Sequence, residues 1–314
     1  MTEDMMMNEE IRMTQKRVRS SDGEHDLVGR VYLPDTGPVG LFQVVHGMTE
    51  HIPRYDAFMR ELAANGYIAF GYDHLGHGLT AKSDDELGFI AHKDGWIRLV
   101  DDVEMFASEM RSEYGEGLPY ILMGHSMGSF IVRLTAAKYN KYDKLIVMGT
   151  GGPNPASGAG LAVIGMTKAF RGEKYISKLV YALAFGNYND RFKDENDPNA
   201  WLTKDLSVRK KYSEDKFSTF KFTVSAMADL VRLNKFSNEK SWAASLDKNK
   251  PVFLVSGTED PVGDNGKGVK AVFDMLEKEG VPVKMKLYEN CRHEILNDTS
   301  RDEVISDILE FIKQ

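Results

Sequence analysis

Tyr120-Ile121-Leu122-Met123-Gly124-His125-Ser126-Met127-Gly128-Ser129-Phe130-Ile131-Val132-Arg133-Leu134 is the stretch that decides the architecture. Its first four residues form a continuous apolar run, which suits a strand buried on both faces. From Met127 onward, Met127, Phe130, Ile131 and Leu134 recur at i, i+3, i+4 and i+7, the stripe of a helix packed along one side. Gly124-x-Ser126-x-Gly128 lies between the two. So sharp a strand–turn–helix passage needs small residues around the turn, and it lifts the serine hydroxyl above the end of the sheet. The first N–H groups of a helix have no intrahelical partners and favour developing negative charge. Ser126 is therefore the candidate nucleophile and the Met127 N–H a candidate oxyanion donor. Gly-rich turns of this kind also serve purely structural ends, so the assignment depends on finding a base and an acid.

Working outward, similar short apolar runs recur at Leu41–Val45, Tyr67–Phe70, Leu145–Met148 and Val252–Val255, each followed closely by glycine and separated by helix-length segments. Between Lys16 and Val45, turn signals at Ser21-Asp22-Gly23 and Pro34-Asp35-Thr36-Gly37-Pro38 predict two or three early strands. Val283, Met285 and Leu287 alternate with Lys284, Lys286 and Tyr288, which places the last strand at an edge. Ser300-x-x-Glu303 predicts a capping box for a final helix burying Val304, Ile305, Ile308, Phe311 and Ile312. The alternation of β and α predicts an α/β fold: an open, mostly parallel sheet covered by helices on both faces. Between Gly151 and Leu246 the rhythm breaks into helix-like segments interrupted at Gly172, Gly186 and Asp197-Pro198. Residues 151–246 are therefore expected as a helical insertion, with 1–150 and 247–314 forming the core and 1–12 a frayed arm.

A serine nucleophile needs a base, and the base an orienting acid. His293, in Cys291-Arg292-His293-Glu294, follows the last strand. Asp260 follows the run at 252–255, with Glu259 and Asp264 as rivals. The order Ser126, Asp260, His293 is that of an α/β-hydrolase, not of chymotrypsin-like or subtilisin-like enzymes. His46-Gly47-Met48 ends an early strand, where the Met48 N–H can face the same pocket as the Met127 N–H.

Composition narrows the alternatives. The 314 residues carry 40 Lys+Arg against 47 Asp+Glu, a formal charge of −7, and no Lys/Arg-rich run, which argues against nucleic acid as partner. The single cysteine, Cys291, excludes an internal disulfide framework and a Cys-rich zinc site. No apolar run approaches the ~18–20 residues that span a bilayer, and the acidic N-terminus does not read as a secretory signal. A cytoplasmic protein is the expectation. His74 and His77 with Asp73 suggest a metal pair, but the Gly-rich turn around them favours structural hydrogen bonds, so no metal is expected. Ala159–Ala169, apolar on more than one face, suits a helix lining an acyl pocket, one touching a membrane surface, or one buried against the core.

Five segments, His46-Gly47-Met48-Thr49-Glu50-His51-Ile52-Pro53-Arg54-Tyr55, Asp73-His74-Leu75-Gly76-His77-Gly78, Gly124–Gly128, Gly257-Thr258-Glu259-Asp260-Pro261-Val262 and His293-Glu294, together resemble the monoacylglycerol lipase/lysophospholipase branch of the α/β-hydrolases, the serine aminopeptidase S33-like group. The likeness runs from about residue 16 to 313 and includes Asn199–Asp205, similar to a segment of the family's cap. It implies an eight-stranded sheet with a helical cap, and Ser126, Asp260 and His293 as catalytic residues. Met48 and Met127 follow as oxyanion donors, with no cofactor and a monoacylglycerol, lysophospholipid or other lipid ester as substrate. The rivals are a small-ester carboxylesterase, an S33-type aminopeptidase using acidic cap residues (Glu173, Asp190, Asp194, Glu195, Asp197), and a non-catalytic receptor on the same scaffold. Thr49 and Thr80 depart from the family pattern, which usually has glycine and serine there.

Overall fold

The computed structural model describes residues 11–314. Eight strands, β1 (Arg12–Arg19), β2 (Asp26–Leu33), β3 (Gly40–Val45), β4 (Tyr67–Tyr72), β5 (Tyr120–His125), β6 (Lys144–Met148), β7 (Val252–Gly257) and β8 (Val283–Tyr288), form one sheet in the order β1-β2-β4-β3-β5-β6-β7-β8. The β1/β2 and β2/β4 pairs are antiparallel and every other pair is parallel. The last strand lies at an edge, as its alternation predicts. The expected arm is overtaken at its end, because Arg12 already pairs with Leu33 at the start of β1. That strand is polar and basic, so no apolar run announces it, and the charges suit an edge that must not recruit another sheet. Met5, Met6 and Met7 lie outside the described residues.

The continuous apolar runs have the physical meaning expected of them. In β3, Leu41 and Val45 pack into one core while Phe42 and Val44 pack into another, and β5, β6 and β7 divide in the same alternating way. On one face lie α2 (Gly95–Tyr114), α3 (Met127–Tyr139) and α9 (Lys267–Lys278), contributing Leu99, Val103, Ile131, Val269 and Val272. On the other lie α1 (Asp56–Ala64) and α10 (Arg301–Lys313), contributing Phe58, Leu62, Val304 and Ile308. α10 buries the five residues its pattern predicts, but Ser300 makes no side-chain cap. Its backbone (φ −98°, ψ 19°) is nearly helical, not the extended conformation from which a serine hydroxyl reaches back to the first turn.

Between β6 and β7 the chain makes an excursion of helices: α4 (Ser157–Arg171), α5 (Lys178–Phe185), α6 (Leu206–Glu214), α7 (Val224–Ser237) and α8 (Lys240–Ala244). α4 and α5 stop at Gly172 and Gly186, where the sequence predicts breaks. α7 packs on α2 and α3, and Phe222, Val224, Ala226 and Leu233 join the main core. Its root is held by Arg133, a fully buried α3 side chain with no carboxylate partner among the described residues, whose pKa burial pushes down to about 9. Arg133 donates to Thr150 Oγ1 at 3.3 Å where the chain leaves, and to Ser237 O and Asn238 Oδ1 (3.0 Å) where it returns. Its guanidinium stacks over Trp242 at 4.1 Å. Among the described residues, no helix is long and apolar enough to cross a membrane.

Candidate active site

The site begins with a steric demand. β5 runs straight into α3 through Ser126, whose φ of 54° and ψ of −119° lie where L-residues are rarely found. The glycines on either side make this passage feasible. A Cβ on Gly124 would meet the Gly128 carbonyl at 2.2 Å, and one on Gly128 would meet the Val45 carbonyl at 2.1 Å. Strand, helix and the end of β3 are thus in backbone contact. Ser126 N–H donates to Met148 O at 3.0 Å, tying the turn to β6. The Ser129 hydroxyl donates to Ser126 O at 2.5 Å and lies 2.8 Å from the Thr150 hydroxyl.

Asp260 and His293 come together because the ends of β7 and β8 touch. A Cβ on Gly257 would lie 2.0 Å from Cys291 O, and Glu259 N–H donates to that oxygen at 2.9 Å. His293 Nδ1 then sits 2.9 Å from Asp260 Oδ1, with both side chains buried. Ser256 Oγ and Val262 N–H each donate to the same carboxylate at 2.9 Å. Burial alone would raise the Asp260 pKa, but His293 and these donors outweigh it and hold the carboxyl below its usual range. The rivals are elsewhere: Glu259 pairs with Lys204 at 3.2 Å, and Asp264 is exposed beside Lys267. Cys291 is buried with its Sγ 3.7 Å from the Thr299 hydroxyl.

His125, next to Ser126 in the chain, packs against His293. The His125 and His293 rings lie 4.7 Å apart, over Gly149 at the end of β6, where a Cβ would approach His293 Cε1 at 3.1 Å. His125 Nδ1 faces the Tyr55 hydroxyl (2.9 Å) and Glu50 Oε1 (3.2 Å), while Nε2 faces His293 O at 3.3 Å. Burial lowers the His125 pKa, but the Glu50 carboxylate more than compensates and raises it. Arg54 closes this network, pairing with Glu50 at 3.0 Å and with both Glu294 oxygens at 2.8 Å. The sequence offers Glu50, Arg54, Tyr55 and His125 only as parts of motifs. Their connection across 240 residues from Arg54 to Glu294 has no local signal.

The loop after β3 lies against Ser126. A Cβ on Gly47 would meet the Ser126 Cβ at 3.0 Å, and the Gly47 N–H donates to Glu50 Oε1 at 2.5 Å. Among the described residues, no hydrogen bond engages the Met48 or Met127 N–H. Opposite, Trp201 covers His293, with ring centroids 5.1 Å apart, and Tyr188 stacks edge-on to Trp201. Trp201 O accepts from His293 N–H at 3.4 Å and Leu202 O from Glu294 N–H at 2.7 Å, so the 199–205 segment is bonded to the histidine loop.

His46, His74 and His77 pack together, tilted or edge-on and fully buried. Burial lowers all three, His74 to about 3 and His77 to about 4, so they stay neutral. His74 N–H donates to His46 Nε2 at 3.0 Å, and Asp73 accepts from the Ile52 and Leu79 N–H groups. Thr80, buried, bridges Asp73 O and Val28 N–H. Among the described residues, no cluster of acidic, histidine or cysteine side chains is arranged to hold a metal ion.

The model of one hydrolase family, described as serine aminopeptidase S33, matches residues 36–300. A monoacylglycerol lipase of Mycolicibacterium smegmatis is 25% identical over 94% of this chain and 98% of its own. The crystal structure of a thermostable carboxyl esterase from Bacillus coagulans, solved with glycerol, superposes with a TM-score of 0.89 at 30% identity, covering 96% of this chain and 98% of that one. A monoglyceride lipase from Saccharomyces cerevisiae, solved with a substrate analogue, shares the fold at a TM-score of 0.74 and 20% identity, covering 96% and 94%.

Proposed function

We propose that this chain, which belongs to the serine aminopeptidase S33 family and has the α/β-hydrolase fold, is a serine hydrolase that cleaves single-chain lipid esters such as a monoacylglycerol or lysophospholipid. The observation that carries the reading is the buried 2.9 Å pair of His293 and Asp260 beside a serine held at a strained turn. In the mechanism, His293, oriented by Asp260, takes the Ser126 proton as the hydroxyl attacks the acyl carbonyl. The Met48 and Met127 N–H groups receive the oxyanion. His293 then protonates the departing alcohol, and water releases the acyl group by the reverse sequence. The chemistry needs no metal or organic cofactor.

The helical excursion acts as the cap in this reading. Its α4–α5 face carries Met166, Phe170, Leu179 and Leu183 to the surface, with Phe170 87% exposed, and only Ile164 and Val180 of the two helices pack deeply as apolar anchors. Such a face suits contact with a lipid substrate or the surface that holds it. The acidic residues that an aminopeptidase needs for an α-amino group are largely engaged already: Glu173 with His92 and Lys168, Asp190 with Lys193, Glu195 with Arg292 and Arg209, Asp197 with Arg209.

Fluorophosphonate labelling and Ser126→Ala test the mechanism. Wild type should form an adduct on Ser126, and the variant should lose roughly 10⁴-fold or more in esterase turnover. Undiminished activity in Ser126→Ala would overturn it. Preference for aminoacyl anilides over acyl esters would replace the lipase reading with a peptidase one.

A further inference from the structure

We infer that Tyr212, on α6, is a positioning residue that holds the loop carrying the Met48 N–H in its working shape, so that this loop is competent only while α6 is docked. The inference rests on the assignment of Ser126 and Met48 above. Its first support is backbone strain. Thr49 has φ +48°, a conformation that a β-branched residue adopts only when something over-determines it. Tyr212 supplies that constraint. Its hydroxyl donates to Thr49 O at 3.2 Å and lies 3.1 Å from Thr49 Oγ1, so one phenol clips both the carbonyl and the side chain of the strained residue.

The clip is itself anchored. The Arg54 guanidinium lies 4.9 Å from the Tyr212 ring centroid, and Arg54 is fixed by Glu50 and Glu294. Glu50 also holds the Gly47 N–H. Met48 thus sits between two fastened neighbours, Gly47 held from the core and Thr49 held from the cap. His51, paired with Asp215 at 2.5 Å just beyond α6, ties the same two segments again. When α6 lifts, Thr49 loses the contacts that offset its strain, and the loop relaxes away from the geometry that directs the Met48 N–H at the reacting carbonyl.

The test uses Tyr212→Phe, Thr49→Gly and the double variant, with p-nitrophenyl butyrate as substrate. Tyr212→Phe should lower kcat about tenfold, less than loss of a whole oxyanion donor, with KM within about twofold. In the Thr49→Gly background the same substitution should change kcat less than about twofold, because glycine adopts positive φ without help. Equal losses in the two backgrounds, or no loss in either, would overturn the clip. Should wild type fail to hydrolyse the ester, or Ser126→Ala retain it, the assignment of the serine fails instead. Amide exchange of residues 47–50 then still decides the clip: it should quicken in Tyr212→Phe, and unchanged exchange sinks it.

Discussion

The two halves of the helical excursion are built on opposite principles. Residues 190–215 are fastened to the core by charge and directed bonds. Arg292, buried beside His293, pairs with Glu195 and donates to Ala200 O at 2.6 Å, Arg209 reaches Glu195 at 2.7 Å, and Tyr212 and Asp215 hold the Thr49–His51 loop. Residues 157–185 turn apolar side chains outward, and their polar ties, from Lys168, Glu173, Tyr175 and Tyr181, run to His92 and to the start of α7. Directed bonds fix a position, whereas apolar exposure provides an adaptable surface. The half nearest the proposed chemistry is the positioned one, and the other presents its apolar side chains to solvent.

Arg292→Ala should damage the positioned half most. It removes a charged donor from Ala200 O and from Glu195, which keeps Arg209, and takes from Phe192 the cation 3.9 Å from its ring, costing about 2 kcal/mol in a thermal melt. A loss below about 1 kcal/mol would mean that charge does not fasten this half.

Glu195 sharpens the point through pH. Its hydrogen bond from Arg292, with help from Arg209 and against partial burial, brings its pKa down from 4.5 to about 2. A depressed acid stabilises the fold fully above its unfolded value and loses that contribution as pH falls through the folded one. The melting temperature of Glu195→Gln should therefore trail wild type by a constant margin at pH 5–7. That margin should shrink below about pH 4.5, and a margin growing on acidification would break the account.

The apolar half predicts the opposite profile. The combined change Met166→Ser, Phe170→Ser and Leu183→Ser should leave stability and turnover of a soluble short ester nearly unchanged. On dispersed monoacylglycerol it should slow hydrolysis by about fivefold. Equal slowing on the two substrates would show that these residues shape the site itself. Smallest of all, Lys204→Ala removes a half-exposed tie to Glu259 and should cost under about 1 kcal/mol in denaturant unfolding.

What the sequence makes legible follows from how local each signal is. The runs at 41–45, 120–123, 145–148 and 252–255 announce strands because burial on two faces writes itself into consecutive residues. Ser126 is legible because its turn demands Gly124 and Gly128, and Asp260 and His293 because strand ends fix their chain order. The start of β1 is not legible, because Arg12–Arg19 is polar and basic and has only Met13 and Val18 as apolar residues. The failed cap at Ser300 shows that a motif of residue types does not dictate a dihedral. Arg54 with Glu294, Trp201 over His293 and Tyr212 on Thr49 were invisible because each joins segments brought together only by the finished fold. Thr49 departs from the family pattern in sequence, and its positive φ gives that departure physical content.

Arg133 carries one more consequence. It grips the chain at Thr150 on departure and at Ser237 and Asn238 on return, from the helix that begins directly after Ser126. The two strands of the doorway are therefore bolted to one post. Both ends of the excursion are thereby referenced to the helix that follows the serine, and a shift of that helix is felt at Thr150 and at Ser237 together.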